Sequence, residues 1–286
     1  NLVLSDLTRN LPYENYSLDF DGGLDYIALG NITTLSNAST FTYSGWYNQT
    51  TLDVSAFMFG SYIDTNNWIA IYTWSDGFHY VGIRKAGGTT YTKFDYSTVV
   101  TVGQWFHLAV VYDGSLSGND KMKLYFDGVL VTTSYVGVMP TSTATGVQIT
   151  NIGKAEEFVN TWNGKISNTA IWNNSLSSTE VQDLYANGMP QDLTTFTPQP
   201  INWWTLGKES FWDGSDWVIR DMIGTNDGLS SNMGGSELKG DAPRSEANGV
   251  GTNIAVPTDL KGNAGWSDKN GYSINMSSTA RKTDTP

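Results

Sequence analysis

Residues Trp105–Tyr135 read WFHLAVVYDGSLSGNDKMKLYFDGVLVTTSY. Two runs alternate apolar and polar residues across a polar loop, and the second turns back through Asp127-Gly128. Asp-Gly between alternating strands is a strong short-range hairpin signal, because both central residues of a type I′ turn need positive φ. A period of two places Leu108, Val110, Leu124 and Phe126 on one face, with Lys121, Lys123 and Asp127 marking polar positions around them. Four such residues from two paired strands predict a half-buried antiparallel sheet.

The same pattern extends outward in both directions. SLDFDGGLDYIAL (17–29) gives two short strands around Gly22-Gly23, and TFTYSGWYN (40–48) alternates again. FMFGSYI, WIAIYTW, FHYVGIR, TKFDYSTVV, VQITNIG and WNGKISNTAIW follow, most of them separated by turn residues such as Ser75-Asp76-Gly77. Short strands at this spacing predict an all-β antiparallel sandwich. One helix is expected in SSTEVQDLYANG (177–188): Ser177 with Glu180 forms a capping box, Val181, Leu184 and Tyr185 share a face, and Gly188 stands at the expected C′ position.

Composition narrows the function classes. The chain has 286 residues, 30 glycines, no cysteine and a net charge of −12. The charge argues against a nucleic-acid groove, which needs clustered Lys and Arg. Without cysteine there is no disulfide framework and no thiolate site. No apolar run reaches the roughly 18 residues of a membrane span. The first residues, NLVLSDLTRN, carry no basic-then-apolar signal, and a fragment or processed product is expected.

Five pieces in order, YSLDFDGGLDYIAL, FTYSGWYN, GQWFHLAVVYDG, KLYFDGVLV and NGKISNTAIWNNSLSSTEVQDLY, resemble laminin G-like domains of the concanavalin A-like lectin/glucanase superfamily. The resemblance implies a concanavalin A-like jelly roll with one short helix packed on it, over residues 13–190, after a junction segment 1–12. It also implies binding and adhesion rather than catalysis.

From residue 191 the character changes. TTFTPQP reads as a linker, Trp203, Trp204, Trp212 and Trp217 crowd together, and aliphatic residues are sparse, so 191–286 is expected to be an extended, mostly irregular appendage that lies against something else. Candidate covers are the sandwich, a sister subunit or a capsid shell. Within it, GLSSNMGGSELKGDAP (228–243) aligns without gaps on GYSINMSSTARKTDTP (271–286), matching at seven of 16 positions at an offset of 43. Two surface-hugging loops anchored by Met233 and Met276 and stopped by Pro243 and Pro286 are the physical reading. The combination of INWWTLG with these NM…DxP segments resembles structural proteins of marine tailed bacteriophages. That resemblance implies a virion-surface protein, for capsid decoration or fibre-like attachment, with other virion proteins or sister subunits as partners of 191–286.

Three kinds of chemistry bear on function. For glycan cleavage, the paired strand carboxylates of related glucanases are missing, and Glu156-Glu157 would point to opposite faces of a strand. His107 reads as a sandwich residue. The expectation is therefore no enzyme. For calcium, the only cofactor expected, the acidic turns offer Asp21 and Asp25, Asp64 and Asn66, and Asp120. Their plain alternative is Asx turns and caps. For sugar, WIAIYTW and FHYVGIR place Trp68, Tyr72, Trp74, Tyr80 and Arg84 on one face, with the aliphatic residues opposite as core. An outward aromatic face usually marks binding, here of cell-surface glycans, unless the tail tryptophans or a neighbouring subunit cover it. Six Asn-x-Ser/Thr sequons follow from a composition rich in Asn, Ser and Thr. The sequence thus reads as a virion adhesion protein without nucleic-acid or membrane partners. A secreted or cell-surface bacterial adhesion protein is the alternative, and a polysaccharide-cleaving enzyme the third class.

Overall fold

A computed structural model describes residues 16–241 except 53, 54, 97, 98, 157, 187 and 208. Two antiparallel sheets face each other. The first runs in the order β10 (Val129–Leu130), β9 (Met122–Phe126), β8 (Trp105–Asp113), β3 (Thr40–Gln49), β13 (Asn163–Trp172), β1 (Ser17–Asp21) and β18 (Leu238–Lys239), with β14 (Asn202–Trp204) also on β13. The second runs β11 (Ser134–Val136), β7 (Gly88–Asp95), β6 (Phe78–Lys85), β5 (Asn67–Thr73), β4 (Ala56–Asp64), β12 (Ile149–Ile152), β2 (Tyr26–Gly30), β17 (Gly228–Ser231), β16 (Trp217–Ile219) and β15 (Phe211–Trp212). The expected all-β sandwich is therefore present.

The deciding stretch folds as its pattern demands. β8 pairs with β9 at Leu108↔Phe126 and Val110↔Leu124. The turn into β10 has Asp127 at φ 48° and Gly128 at φ 75°. Leu108, Val110, Leu124 and Phe126 enter the core between the sheets with Phe41, Tyr43 and Tyr47, and meet Ile69, Ile71, Val81 and Ile83 from the second sheet. Each such side chain contributes about 1.5–3 kcal/mol by leaving water.

The outer face of the first sheet is closed by the helix and the segment behind it. α1 (Ser178–Tyr185) has the full Ser177/Glu180 capping box. It ends earlier than the glycine signal predicted: Ala186, at φ 45°, takes the left-handed cap, two residues before Gly188. Val181 and Leu184 pack with Ala109, Val111, Trp172, Leu193 and Trp203 in a second apolar cluster. His107 is fully buried under this layer, its Nε2 2.9 Å from Ser44 Oγ.

The tail is built into both sheets. β14 joins β13 at Thr169↔Trp204, where β13 carries an irregularity and Asn168 stands at φ 48°. β17 extends the second sheet beside β2, and β18 extends the first beside β1. Trp203 and Trp204 are fully buried. One carboxylate organises the passage: Asp221 accepts from Trp203 N (3.0 Å), Gly224 N (2.9 Å), Asn226 N (3.1 Å) and Asn202 Nδ2 (2.5 Å). The sandwich is thus the cover for Trp203 and Trp204. The junction segment 1–12, Pro243 and the second repeat copy, 271–286, lie outside the described residues.

Candidate functional site

The outward face of β5, β6 and β7 carries the aromatic set. Cross-strand pairs fix it: Trp68↔Arg84 and Tyr72↔Tyr80 between β5 and β6, Tyr80↔Lys93 and Gly82↔Tyr91 between β6 and β7. The intervening Ile69, Ile71, Val81 and Ile83 point into the core, so alternation alone turns the aromatics outward. Gly82 makes this layer possible: a Cβ there would sit 2.9 Å from the Trp68 ring.

The face has a covered part and an open part. Trp68 is only 9% exposed. Its cover is neither a tail tryptophan nor a second subunit but the loop between β12 and β13, whose Phe158 stacks on Phe57 (4.5 Å) and meets Trp68 edge-on (6.2 Å). That loop lies close because position 60 is glycine; a Cβ there would be 2.5 Å from the Ala155 backbone. Sequence reasoning missed this cover because Phe158 belongs to no strand.

Beyond it the tyrosines pack on one another, leaving Tyr80 only 8% exposed, and the face opens at Trp74. Tyr72 and Tyr80 stack at 5.0 Å with rings 5° from parallel, and Tyr91 meets Tyr80 at 5.2 Å. Stacked tyrosines use their faces on each other. Trp74, immediately after β5, meets Tyr72 edge to face at 6.1 Å and stays 42% exposed. It is the ring with surface to offer.

Polar groups ring Trp74 and its tyrosines. Tyr80 donates to Asp76 Oδ2 (2.6 Å), Lys93 Nζ donates to the Tyr80 hydroxyl (3.1 Å) and pairs with Asp76 (3.6 Å). Lys93 Nζ also lies 3.9 Å above the centre of the Phe78 ring. Burial, with Tyr80, Tyr91 and Asp76 nearby, pushes the Tyr72 hydroxyl well above the usual tyrosine range, so it stays protonated and able to donate. Asp76 and Lys93 were not foreseen as a pair. Asp76 was legible as a turn residue, but Lys93 comes opposite Tyr80 only through the β6–β7 register. Arg84 shares the face at the Trp68 end, opposite it across the strands.

The calcium candidates are placed separately. Asp21 and Asp25 share the turn between β1 and β2: Asp21 N donates to Asp25 Oδ2 (2.9 Å) and Gly23 N to Asp21 Oδ1. Asp25 is 3% exposed, and burial, with Asp21 and Glu237 nearby, pushes its carboxyl up to about 6. Asp64 closes the β4–β5 turn, accepting from Asn66 N (2.8 Å) and from Asn67 Nδ2. Asp120 is exposed in the short helical turn Gly118–Lys121. Among the described residues, no group of three or more His, Asp or Glu side chains is placed to hold a metal ion. A cation at Asp21 and Asp25 would complete its six to eight oxygens from backbone and water.

Two facing antiparallel sheets, a capped helix on one and an aromatic layer with an adjoining carboxylate and ammonium on the other, define a lectin-type sandwich. Residues 21–182 match the laminin G-like family described as the concanavalin A-like lectin/glucanases superfamily. The match takes in more than half of the chain, and the chain belongs to this family.

Among solved structures, the chain is similar to a protein of Bacteroides ovatus described provisionally as carbohydrate binding. The two share 17% identity over 82% of this chain and 62% of that one, at a TM-score of 0.56. It is also similar to a heptameric SAP-like pentraxin of Limulus polyphemus, with 17% identity over 74% of this chain and 94% of that one, at 0.49. The third is the CBM40 of the Ruminococcus gnavus IT-sialidase bound to α2,3 sialyllactose, with 16% identity over 62% and 100%, at 0.48. At these identities the likeness speaks to fold alone. No curated protein matches the sequence. Among the described residues no helix is long and apolar enough to cross a membrane.

Proposed function

We propose that this chain is a non-catalytic glycan-binding module that works by adhesion through the outer face of β5–β7. The carrying observation is Trp74: an exposed ring beside a fixed Asp76–Tyr80–Lys93 network. Sugar recognition needs an aromatic surface for pyranose C–H groups and nearby donors and acceptors for hydroxyls. Asp76 supplies an acceptor, and Lys93 and Tyr72 supply donors. Single-site affinity at such an open face is weak, so useful attachment requires many copies on one particle. The repeated NM…DxP segments and the WW-x-LG segment favour a virion surface as that particle, with decoration or fibre-like attachment as the role. Calcium at the β1–β2 turn is part of the reading, as a structural ion beside Asp21 and Asp25.

The test is a glycan array followed by calorimetry on the hits, with wild type and Trp74→Ala compared. Binding to no glycan on a broad array would refute the reading, and so would binding that Trp74→Ala leaves unchanged. Turnover of a bound polysaccharide that is lost with one Asp or Glu substitution would refute its non-catalytic part. Immunogold labelling of intact particles tests the virion assignment.

A further inference from the structure

The charges around Trp74 are unequal, and its one nearby ammonium is already engaged. Lys93 Nζ donates to the Tyr80 hydroxyl (3.1 Å), pairs with Asp76 (3.6 Å) and lies 3.9 Å over the Phe78 ring. Its side chain is 24% exposed, against 39% for Asp76, so the carboxylate meets solvent more than the ammonium does. Asp76 is fixed from two sides: Phe78 N donates to Oδ1 (3.2 Å) and the Tyr80 hydroxyl to Oδ2 (2.6 Å). A second carboxylate, Asp95, is exposed at the end of β7 and stands opposite Phe78 across the strands. Two carboxylates thus flank Phe78 to one ammonium. The other cations of β5–β7 are Arg84 and Lys85. Arg84 is six residues along β6 from Phe78, about 20 Å at roughly 3.3 Å per residue, and Lys85 donates to Ser142 instead. That distance exceeds the Debye length of about 8 Å at physiological salt, so neither offsets the carboxylates at Trp74.

This arrangement discriminates between classes of sugar. An ionised carboxylate only accepts, and its two oxygens offer about four acceptor sites. On Asp76, Phe78 N and the Tyr80 hydroxyl take one each, which leaves room for donors from solvent or ligand. A neutral pyranose brings such donors as adjacent hydroxyls, and its C–H face suits the Trp74 ring. An acidic sugar instead sets its own carboxylate or sulfate against Asp76 and Asp95. Strong recognition of that group takes a bidentate guanidinium or several charged donors. Among the described residues of β5–β7, no guanidinium adjoins Trp74, and the single ammonium there is shared with Asp76.

We propose that the Trp74 face, on the reading of it as a glycan site, selects uncharged pyranoses, with Asp76 as its specificity-determining residue. Asp76 accepts from sugar hydroxyls beside the Trp74 ring and, together with Asp95, repels carboxylated and sulfated sugars. The chain's net charge of −12 adds to that repulsion during approach. Selection of this kind is electrostatic, so salt weakens it by admitting the acidic sugar rather than by releasing the neutral one.

The test uses the full chain on an array that prints each of several neutral hexose oligosaccharides beside its uronic-acid and sulfated counterparts, with calorimetry on the best pair. The neutral member should bind at least about ten-fold more tightly at low salt, and the ratio should shrink at high salt as the acidic member gains. Asp95→Asn should shrink the ratio by about three-fold through the acidic member. Asp76→Asn should shrink it further and also weaken the neutral member. Binding that Trp74→Ala abolishes, but in which the acidic member equals or exceeds the neutral one, would overturn the proposal and leave the glycan site standing. A ratio that neither salt nor Asp76→Asn moves would also overturn it. Binding to no sugar on the array, or binding indifferent to Trp74→Ala, would remove the glycan site itself and the selectivity with it.

Discussion

Trp74 differs from the other aromatics of its face because it stands just past the end of β5, where its backbone closes the Ser75–Gly77 turn and no loop lies over its ring. Its neighbours are supported from both sides, so removing its ring costs contact with ligand and little stability. Trp74→Ala should lower glycan affinity by at least about ten-fold, the usual scale for an aromatic anchor, while the melting temperature changes little. Calorimetry and a thermal scan on the same sample check both halves. Gly82 offers the opposite case. Any side chain there meets the Trp68 ring, and Phe158 above leaves that ring nowhere to go. Gly82→Val should destabilise by about 1–3 kcal/mol through overpacking, read as a lowered urea midpoint at unchanged slope. The position of these aromatics on one face was legible, because a two-residue period needs only the identity of the aliphatic partners. Their exposure was not, because it depends on where the β12–β13 loop runs, and nothing local in Lys154–Asn160 states that path.

Elements divide by length in the same way. β3, β8 and β13 span nine or ten residues each, long enough for alternation to declare a buried face, and they were readable. β14 to β18 span two to four residues each. No periodicity can show in so few, and the pairings that join them to the sandwich reach far back in sequence: β17 on β2, β18 on β1. What holds this segment is Asp221, whose carboxylate ties Trp203, Gly224, Asn226 and Asn202 together. Asp221→Ala leaves those donors unsatisfied, and about 2–4 kcal/mol of stability should go with it. Hydrogen exchange should show amides of 202–231 opening far more than those of β8 and β3; uniform loss across the sandwich would mean the segment is not separately clamped. The β1–β2 turn is the other element with a test. With Asp25 buried beside Asp21, a bound cation would relieve the repulsion between their carboxylates. Millimolar Ca²⁺ should raise the melting temperature by about 2–4 °C per kcal/mol gained, and EDTA should reverse it. Asp25→Asn should abolish the response.

Across the whole molecule the two histidines set the acid limit. Both are fully buried, one in each sheet: His79 among the Phe94, Tyr96 and Phe106 rings, and His107 between Trp46 and Tyr185. Burial lowers each from the ordinary 6.5 to about 3. A group whose folded pKa is depressed binds fewer protons folded than unfolded. Its contribution is therefore complete above about pH 6.5 and drains away as pH falls toward 3. Each unit of that fall costs roughly 1.4 kcal/mol per histidine. Asp25 works in the opposite sense: raised from 3.8 to about 6, it holds an extra proton in the folded state over that interval, so its penalty at neutral pH is relieved in acid. Two histidines with wider windows outweigh Asp25 and Asp127, the two carboxylates that burial raises, and the net effect is acid lability. Urea midpoints should fall steadily from pH 6.5 to pH 4, and most of that fall should disappear in His79→Phe, where the one remaining histidine is nearly balanced by Asp25. That variant keeps an aromatic ring in an aromatic pocket and removes the titrating nitrogens, neither of which has a hydrogen-bond partner. His107→Gln should flatten the curve similarly while keeping a partner for Ser44, whose hydroxyl lies 2.9 Å from the imidazole. A midpoint that stays level down to pH 4 in wild type, or an equal slope in both variants and wild type, would place the acid sensitivity elsewhere than in these two rings.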